Sequence, residues 1–130
     1  FDQFLSYKAP CYVPYEKIGA EQAAQLISAA GGLVVLAHPG LMGQGAWDSI
    51  LPKLKGYGFW GVEAYHPSHT DGQCREFVSL ARTQGLFVTA GSDYHGSVKP
   101  DIALGQETRG GAYLQESMES LLKFLIAKKF

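Results

Sequence analysis

The four histidines of the chain lie at or just after the ends of short apolar segments. One segment ends at His38, the next at His66 and His69, and the third at Asp93 and His95. Each segment begins at glycine and carries β-branched or aromatic residues, which predicts strands. The carboxyl ends of parallel strands meet at one edge of a sheet, where ligands and catalytic groups collect. The sequence therefore predicts that these side chains converge at one site.

The residue types at these strand ends are those of a metal site. If the third strand extends through Asp93 and His95, the two side chains face the same side and Tyr94 faces away. A set of ligands with both oxygen and nitrogen atoms favours Zn, Mn or Fe over Ca or Mg. His38 has no obvious structural use at the end of an apolar strand. We therefore predict that His38, Asp93 and His95 bind a divalent metal ion.

Three further side chains near the same strand ends are candidates for catalysis or substrate contact. Glu63 alternates with apolar neighbours on the second strand, so it either contacts the substrate or is hydrogen-bonded within the site. His66 and His69 either contact the substrate or support the ligands, or they belong to a solvated loop. One of these histidines is a candidate for protonating a leaving group.

Helical and extended patterns alternate along most of the chain. They predict helices at residues 21–30, 47–57, 73–84 and 115–128, and strands at residues 33–37, 59–65 and 86–90. Pro52 must lie in the first turn of the second helix or break it. The continuous apolar run at 33–37 predicts a strand that is covered on both faces. The fold class is therefore α/β, with about three parallel βα units.

The remaining stretches give weaker signals. Residues 1–18 lack periodicity and are predicted to form a helical turn followed by an extended arm, while residues 19–130 carry the βα units. The glycines at 40–45 predict a flexible loop over the site, and a short strand is predicted near residues 102–104.

Composition excludes several classes of protein. With 130 residues the chain is one domain at most, and its 11 basic and 12 acidic side chains give a net charge of −1. This balance argues against binding to a nucleic acid duplex, and the longest apolar run is too short to span a membrane. Cys11 and Cys74 are isolated, which favours a reducing, cytoplasmic setting. A small-molecule partner is favoured.

The motifs at the strand ends resemble those of a known superfamily. The segments LVVLAHPG at 33–40, GVEAYHPSHT at 61–70 and GLFVTAGSDYHG at 85–96, and more loosely FLSYKAPCYVP at 4–14, resemble the C-terminal half of PHP (polymerase and histidinol phosphatase) proteins. The most similar members are metal-dependent phosphoesterases, which include nucleoside 3′,5′-bisphosphate phosphatases. His38, Asp93 and His95 match metal ligands of the family, whereas His66 and His69 match only as a neighbourhood.

The resemblance implies a distorted (β/α)7 barrel that holds two or three Mn, Fe or Zn ions. It implies hydrolysis of a phosphate monoester by a metal-activated water, without a protein nucleophile, in a small phosphorylated metabolite such as a nucleotide. The N-terminal H-x-H pair of the family has no counterpart in the sequence. We therefore expect residues 1–130 to form the C-terminal portion of a PHP domain without its N-terminal half, to be inactive alone, and to self-associate through open barrel edges.

Two alternatives remain open from the sequence. An amidohydrolase that cleaves carbon–nitrogen bonds uses similar ligands at the strand ends of a barrel. A non-catalytic metal-binding or structural module would carry the same histidines with one metal or none. Substrate tests distinguish the first alternative, and metal content per chain distinguishes the second.

Overall fold

A computed structural model of the chain describes residues 2–14, 16–105 and 111–127. The helices are α1 (Asp2–Leu5), α2 (Ala20–Ala29), α3 (Gln44–Ile50), α4 (Asp71–Gln84) and α5 (Gly111–Ala127), and the strands are β1 (Val35–Leu36), β2 (Gly61–Tyr65) and β3 (Phe87–Ala90). Short 3-10 turns occur at Pro39–Leu41, Leu51–Lys53 and Gly96–Val98. Helices and strands alternate, as predicted. Within the described residues, no helix is both long enough and apolar enough to cross a bilayer.

The three strands form a parallel sheet in the order β1-β2-β3. Val62 in the central strand pairs with Val88 of β3, and the register between these strands is irregular from Glu63 to Tyr65. Because all three strands are parallel, their carboxyl ends lie at one edge of the sheet. The predicted convergence of the three strand ends is confirmed.

One face of the sheet is covered more completely than the other. Val62 and Ala64 share a face, and both are fully buried in the core with Phe77 of α4. On the opposite face Val35 remains 37% exposed and Glu63 is partly exposed. The prediction that the first strand is covered on both faces is therefore wrong for the chain as described.

Both ends of α4 follow from local sequence signals. Thr70 and Gln73 form a capping box, in which the Thr70 hydroxyl accepts from the Gln73 N–H and the Gln73 side chain accepts from the Thr70 N–H. Gly85 ends the helix in the left-handed conformation (φ 63°), which glycine adopts without steric cost. The helix therefore begins two residues after His69, and β3 begins two residues after the Gly85 cap.

The structure corrects several predicted boundaries. Pro52 divides the predicted helix 47–57 into α3 and a 3-10 turn, because proline lacks the N–H that an α-helix needs. Residues 102–104, all of them described, form coil and turn instead of a strand. The segment 40–45 is not simply a loop, since it contributes to a 3-10 turn and to the start of α3. Within the predicted segment 1–18, α1 (Asp2–Leu5) is followed by turns and coil in the described residues, and the extended arm stays a prediction.

Candidate functional site

Side chains from all three strand ends meet at the carboxyl edge of the sheet. The rings of His38, which follows β1, and His66, which follows β2, lie edge to face with centroids 5.6 Å apart. His66 Nε2 lies 3.5 Å from Oδ2 of Asp93, which follows β3. The structure thus places His66 between two of the predicted metal ligands.

His38 is held in an unusual backbone conformation by a carboxylate from the next strand. Its φ of 30° and ψ of 56° are left-handed, a region that costs a non-glycine residue roughly 1–2 kcal/mol. The His38 N–H donates to Oε2 of Glu63 over 2.6 Å. Hydrogen bonds to a carboxylate are among the stronger ones in proteins. Glu63 of β2 therefore holds the backbone at His38, which follows the neighbouring strand β1. A hydrogen-bonding role within the site was one of the two roles that the sequence left open for Glu63.

His69 connects the loop after β1 to the end of β2 through both of its ring nitrogens. It is 2% exposed; Nδ1 lies 2.9 Å from the backbone oxygen of Ala64, and Nε2 accepts from the Gly40 N–H over 3.1 Å. Acceptance at Nε2 requires the proton on Nδ1, which then donates to Ala64. A neutral imidazole with both nitrogens engaged has no proton to give to a leaving group. The geometry therefore favours a structural role for His69.

Gly40 can lie against His69 only because it lacks a side chain. A Cβ at this position would overlap the His69 ring, whose Nε2 would be 2.9 Å away. The same loop is held from α3, where the Trp47 indole N–H donates to the Pro39 oxygen over 2.9 Å. The backbone of the loop that carries His38 is thus fixed from two sides.

His66 is a buried histidine with one unsatisfied nitrogen. It is 4% exposed, and Nδ1 accepts the Ser68 N–H over 3.1 Å. The ring proton of the neutral form is therefore on Nε2. Nε2 has no hydrogen-bond partner among the described residues, since its 3.5 Å contact with Asp93 exceeds the usual length of about 2.7–3.2 Å. An unsatisfied buried donor costs roughly 1–3 kcal/mol and requires an explanation.

Asp93 and His95 lie in coil after β3 and not in an extended strand. β3 ends at Ala90, and Asp93 is left-handed with a φ of 56°, so the predicted alternation along a continuing strand is wrong. Even so, His95 Nδ1 lies 3.5 Å from Oδ1 of Asp93 and 2.7 Å from its backbone oxygen. The short contact to a carbonyl places the proton on Nδ1 and leaves a lone pair on Nε2. A ligand histidine usually has this tautomer and this kind of partner.

Lys99 is a member of the site that sequence reasoning did not find. Its ammonium contacts Oδ2 of Asp93, the oxygen that also faces His66. This hydrogen bond is the main reason that the pKa of Asp93 is lowered from 3.8; partial burial opposes the shift, and the Lys99 charge, His95 and His66 add to it. The one feature of the sequence that could have indicated this contact is a basic residue in the loop that follows a predicted ligand.

The described residues include no group of three or more His, Cys, Asp or Glu that is arranged to hold a metal ion. At Asp93, Lys99 contacts one carboxylate oxygen, and the facing His66 nitrogen carries the ring proton of the neutral form. The donor types nevertheless fit a metal, because His95 Nε2 has a lone pair and the Asp93 carboxylate is ionised at neutral pH. A metal ion that binds to Oδ2 must displace the Lys99 ammonium.

Comparison with known proteins supports the resemblance, although no family model matches the chain. The chain is 38% identical over 86 residues to a phosphoribosyl 1,2-cyclic phosphate 1,2-diphosphodiesterase of Eggerthella lenta. The matched region covers 66% of the chain and 32% of that protein. It is 32% identical over 97 residues to a 3′,5′-nucleoside bisphosphate phosphatase of Chromobacterium violaceum, and the match covers 73% of the chain and 34% of that protein. It is also 29% identical over 109 residues to the 5′-3′ exoribonuclease Rnm of Escherichia coli, and the match covers 82% of the chain and 37% of that protein. The chain thus spans about a third of the length of these relatives.

Two solved structures share the fold. One is described as a metal-dependent phosphoesterase of Bifidobacterium adolescentis, with a TM-score of 0.62 and 28% identity over 87% of this chain and 40% of that one. The other is described as an amidohydrolase of Chromobacterium violaceum with bound sulfate. Its TM-score is 0.60, and it is 30% identical over a match that covers 79% of this chain and 36% of that one. The relatives and the first of these structures confirm the resemblance to phosphoesterases of the PHP type.

Proposed function

We propose that the chain forms part of the active site of a metal-dependent phosphoesterase. The observation that carries this proposal is the meeting of three parallel strand ends around Asp93, which contacts His66, His95 and Lys99 within one small region. Phosphoesterase names among the relatives agree with it.

In this proposal His38, Asp93 and His95 are the metal ligands that the chain contributes. A divalent Mn, Zn or Fe ion would supply Lewis acidity toward the phosphoryl group and would activate water as the nucleophile. The chain's own residues fix the ligand geometry: Glu63 holds the backbone at His38, and the Asp93 carbonyl orients the His95 ring. No protein nucleophile is required.

The proposed architecture is a portion of a distorted (β/α)7 barrel. Three parallel strands interleaved with helices support it, as does the sheet face that Val35 and Glu63 leave partly open. Residues 1–130 would form the C-terminal portion of the PHP domain. The remaining ligands of a two- or three-metal site would come from outside these residues, and we propose that turnover requires them. The edges of the three-stranded sheet then favour self-association of the isolated chain.

The proposed substrate is a small phosphorylated metabolite, with a nucleotide as the first choice. Two relatives act, by name, on a nucleoside bisphosphate and on a phosphoribosyl cyclic phosphate, and a third degrades RNA from its 5′ end. The chain's net charge of −1 supports a small substrate over a nucleic acid duplex. Cys11, which is exposed, and Cys74 form no disulfide, which supports a reducing compartment such as the cytoplasm.

A second candidate function is hydrolysis of a carbon–nitrogen bond. The similarity to a structure described as an amidohydrolase favours it. Parallel assays of a longer protein that contains this chain, with nitrophenyl phosphate as the ester and a nitroanilide as the amide, distinguish the two. Turnover of the amide alone would reject the phosphoesterase.

Zinc and manganese titrations of the 130-residue chain test the proposed ligands. Asp93→Asn and His95→Ala should weaken binding by more than about tenfold, because each removes a bond or a charge at the ion. Asp101→Asn is the matched control, since it removes an exposed carboxylate eight residues further along the chain. Equal affinities for Asp93→Asn and the wild type would reject the metal site, and full-rate hydrolysis of nitrophenyl phosphate by the chain alone would show that the catalytic groups are misplaced.

A further inference from the structure

We infer that His66 is a positioning residue whose Nε2–H donates to the carboxylate of Asp93 once Lys99 releases it, and that it is not a metal ligand. Its place beside Asp93 and His38 would otherwise make it an obvious fourth ligand. The inference rests on the proposed function insofar as Asp93 binds the metal. It concerns one proton, the proton on Nε2.

The tautomer of His66 follows from its other nitrogen. Nδ1 lies 3.1 Å from the backbone nitrogen of Ser68, and a backbone N–H can only donate, so Nδ1 must be the acceptor. The proton of the neutral ring is then on Nε2. Metal binding needs a lone pair, and His66 has none to offer unless this proton is lost. His95 is the opposite case, because its Nδ1 faces a carbonyl and its Nε2 is free.

The geometry also identifies the acceptor. His66 is buried, with only 4% of its surface exposed, and its Nε2 has no hydrogen-bond partner among the described residues. The acceptor that faces Nε2 is Oδ2 of Asp93, 3.5 Å away. Lys99 contacts the same oxygen. Displacement of the ammonium would leave Oδ2 of Asp93 free to accept from His66 Nε2. Carboxylate ligands are commonly oriented by such a donor.

The direct test is the ring-nitrogen spectrum of His66 in the ¹⁵N-labelled 130-residue chain at neutral pH. We expect a proton on Nε2 both in metal-free protein and after addition of zinc. The Nε2–H resonance should move downfield in Lys99→Met, because Oδ2 is then free to accept, and should lose this response in Lys99→Met combined with Asp93→Ala. Lys53→Met, at an exposed position before β2, is the matched control and should leave the resonance unchanged.

Zinc affinity gives the second readout. His66→Phe removes the donor and should weaken zinc binding about 10- to 100-fold, while His66→Gln, whose amide can donate from a similar position, should recover part of that loss. If His66→Phe does not fold, His66→Gln and the spectra of the wild type still decide the question.

Two results would overturn the inference: a proton on Nδ1 in the metal-free chain, or loss of the Nε2 proton when zinc binds. Failure of the proposed function looks different. In that case zinc binding would not depend on Asp93, while the Nε2–H of His66 would still respond to Lys99→Met and Asp93→Ala.

Discussion

Replacement of Glu63 by alanine tests whether the conformation of His38 depends on the neighbouring strand. The variant removes the 2.6 Å hydrogen bond that the His38 N–H donates to a carboxylate. Bonds of this kind contribute about 1.5–3 kcal/mol, and relaxation of the left-handed backbone at His38 returns part of this. We expect a net loss of about 1–2 kcal/mol in the free energy of unfolding. In urea this corresponds to a midpoint lower by about 0.5–1 M.

The same variant should also weaken zinc binding, because His38 no longer presents its ring from a fixed backbone. A loss of about 10- to 100-fold is typical when the support of a ligand is removed. Glu63→Gln should lie between the wild type and Glu63→Ala, since its amide oxygen still accepts but carries no charge. Glu76→Ala, at an exposed position on α4, is the control and should change neither quantity appreciably.

An independent substitution reaches the same hydrogen bond without changing Glu63. A Cβ at Gly91 would overlap Oε1 of Glu63, so Gly91→Ala must push the carboxylate away from His38. Gly45→Ala meets no atom within 4 Å and is its control. If Glu63→Ala and Gly91→Ala both leave the urea midpoint and the zinc affinity unchanged, Glu63 does not support His38 and the reasoning is refuted.

Three further predictions concern the ion pair and the core. Lys99→Met should tighten zinc binding about two- to fivefold in calorimetric titration, because the metal no longer displaces an ammonium; weaker binding would contradict the competition. Since the pKa of Asp93 is lowered from 3.8, its contribution to the stability of the metal-free chain is complete above that pH and disappears as the pH falls through the folded-state pKa. The deficit of Asp93→Asn at pH 7 should therefore vanish in acid, and a constant deficit would contradict this. Phe77→Ala should cost about 3–5 kcal/mol in urea unfolding, against little for Leu104→Ala at an 81% exposed position; similar costs would contradict the core assignment.

The order of elements and the convergence of the strand ends could be predicted from the sequence because they depend on local patterns. Helical spacing, the glycine after each helix and the apolar runs each specify one element, and parallel strands then bring their ends together. The sequence also allowed for a break in the second helix, because proline at position 52 lacks the N–H that an α-helix needs. The resemblance of the strand-end motifs to phosphoesterases was available from the same residues and is confirmed.

What the sequence did not reveal depends on hydrogen bonds between distant residues. No local pattern specifies the left-handed backbone at His38 and Asp93, although Asp and His adopt it more often than most residues. At His38 it is supported by the hydrogen bond to Glu63. The contact of Lys99 with Asp93 arises in a loop without periodicity, where no pattern indicates which way a long side chain turns. The ring nitrogens of His66 and His69 acquire their roles only once their backbone neighbours are known.

These hydrogen bonds mean that the candidate site is ordered by the protein before any metal contributes. Glu63 holds His38, His69 holds Gly40, and the ring of His95 is oriented by the Asp93 carbonyl. At Asp93 the charge of Lys99 already balances the carboxylate. If Asp93 binds a metal ion as proposed, binding at this oxygen would exchange one cation for another on a fixed framework. The affinity should then depend on the small group of residues around Asp93 more than on folding of the strand ends.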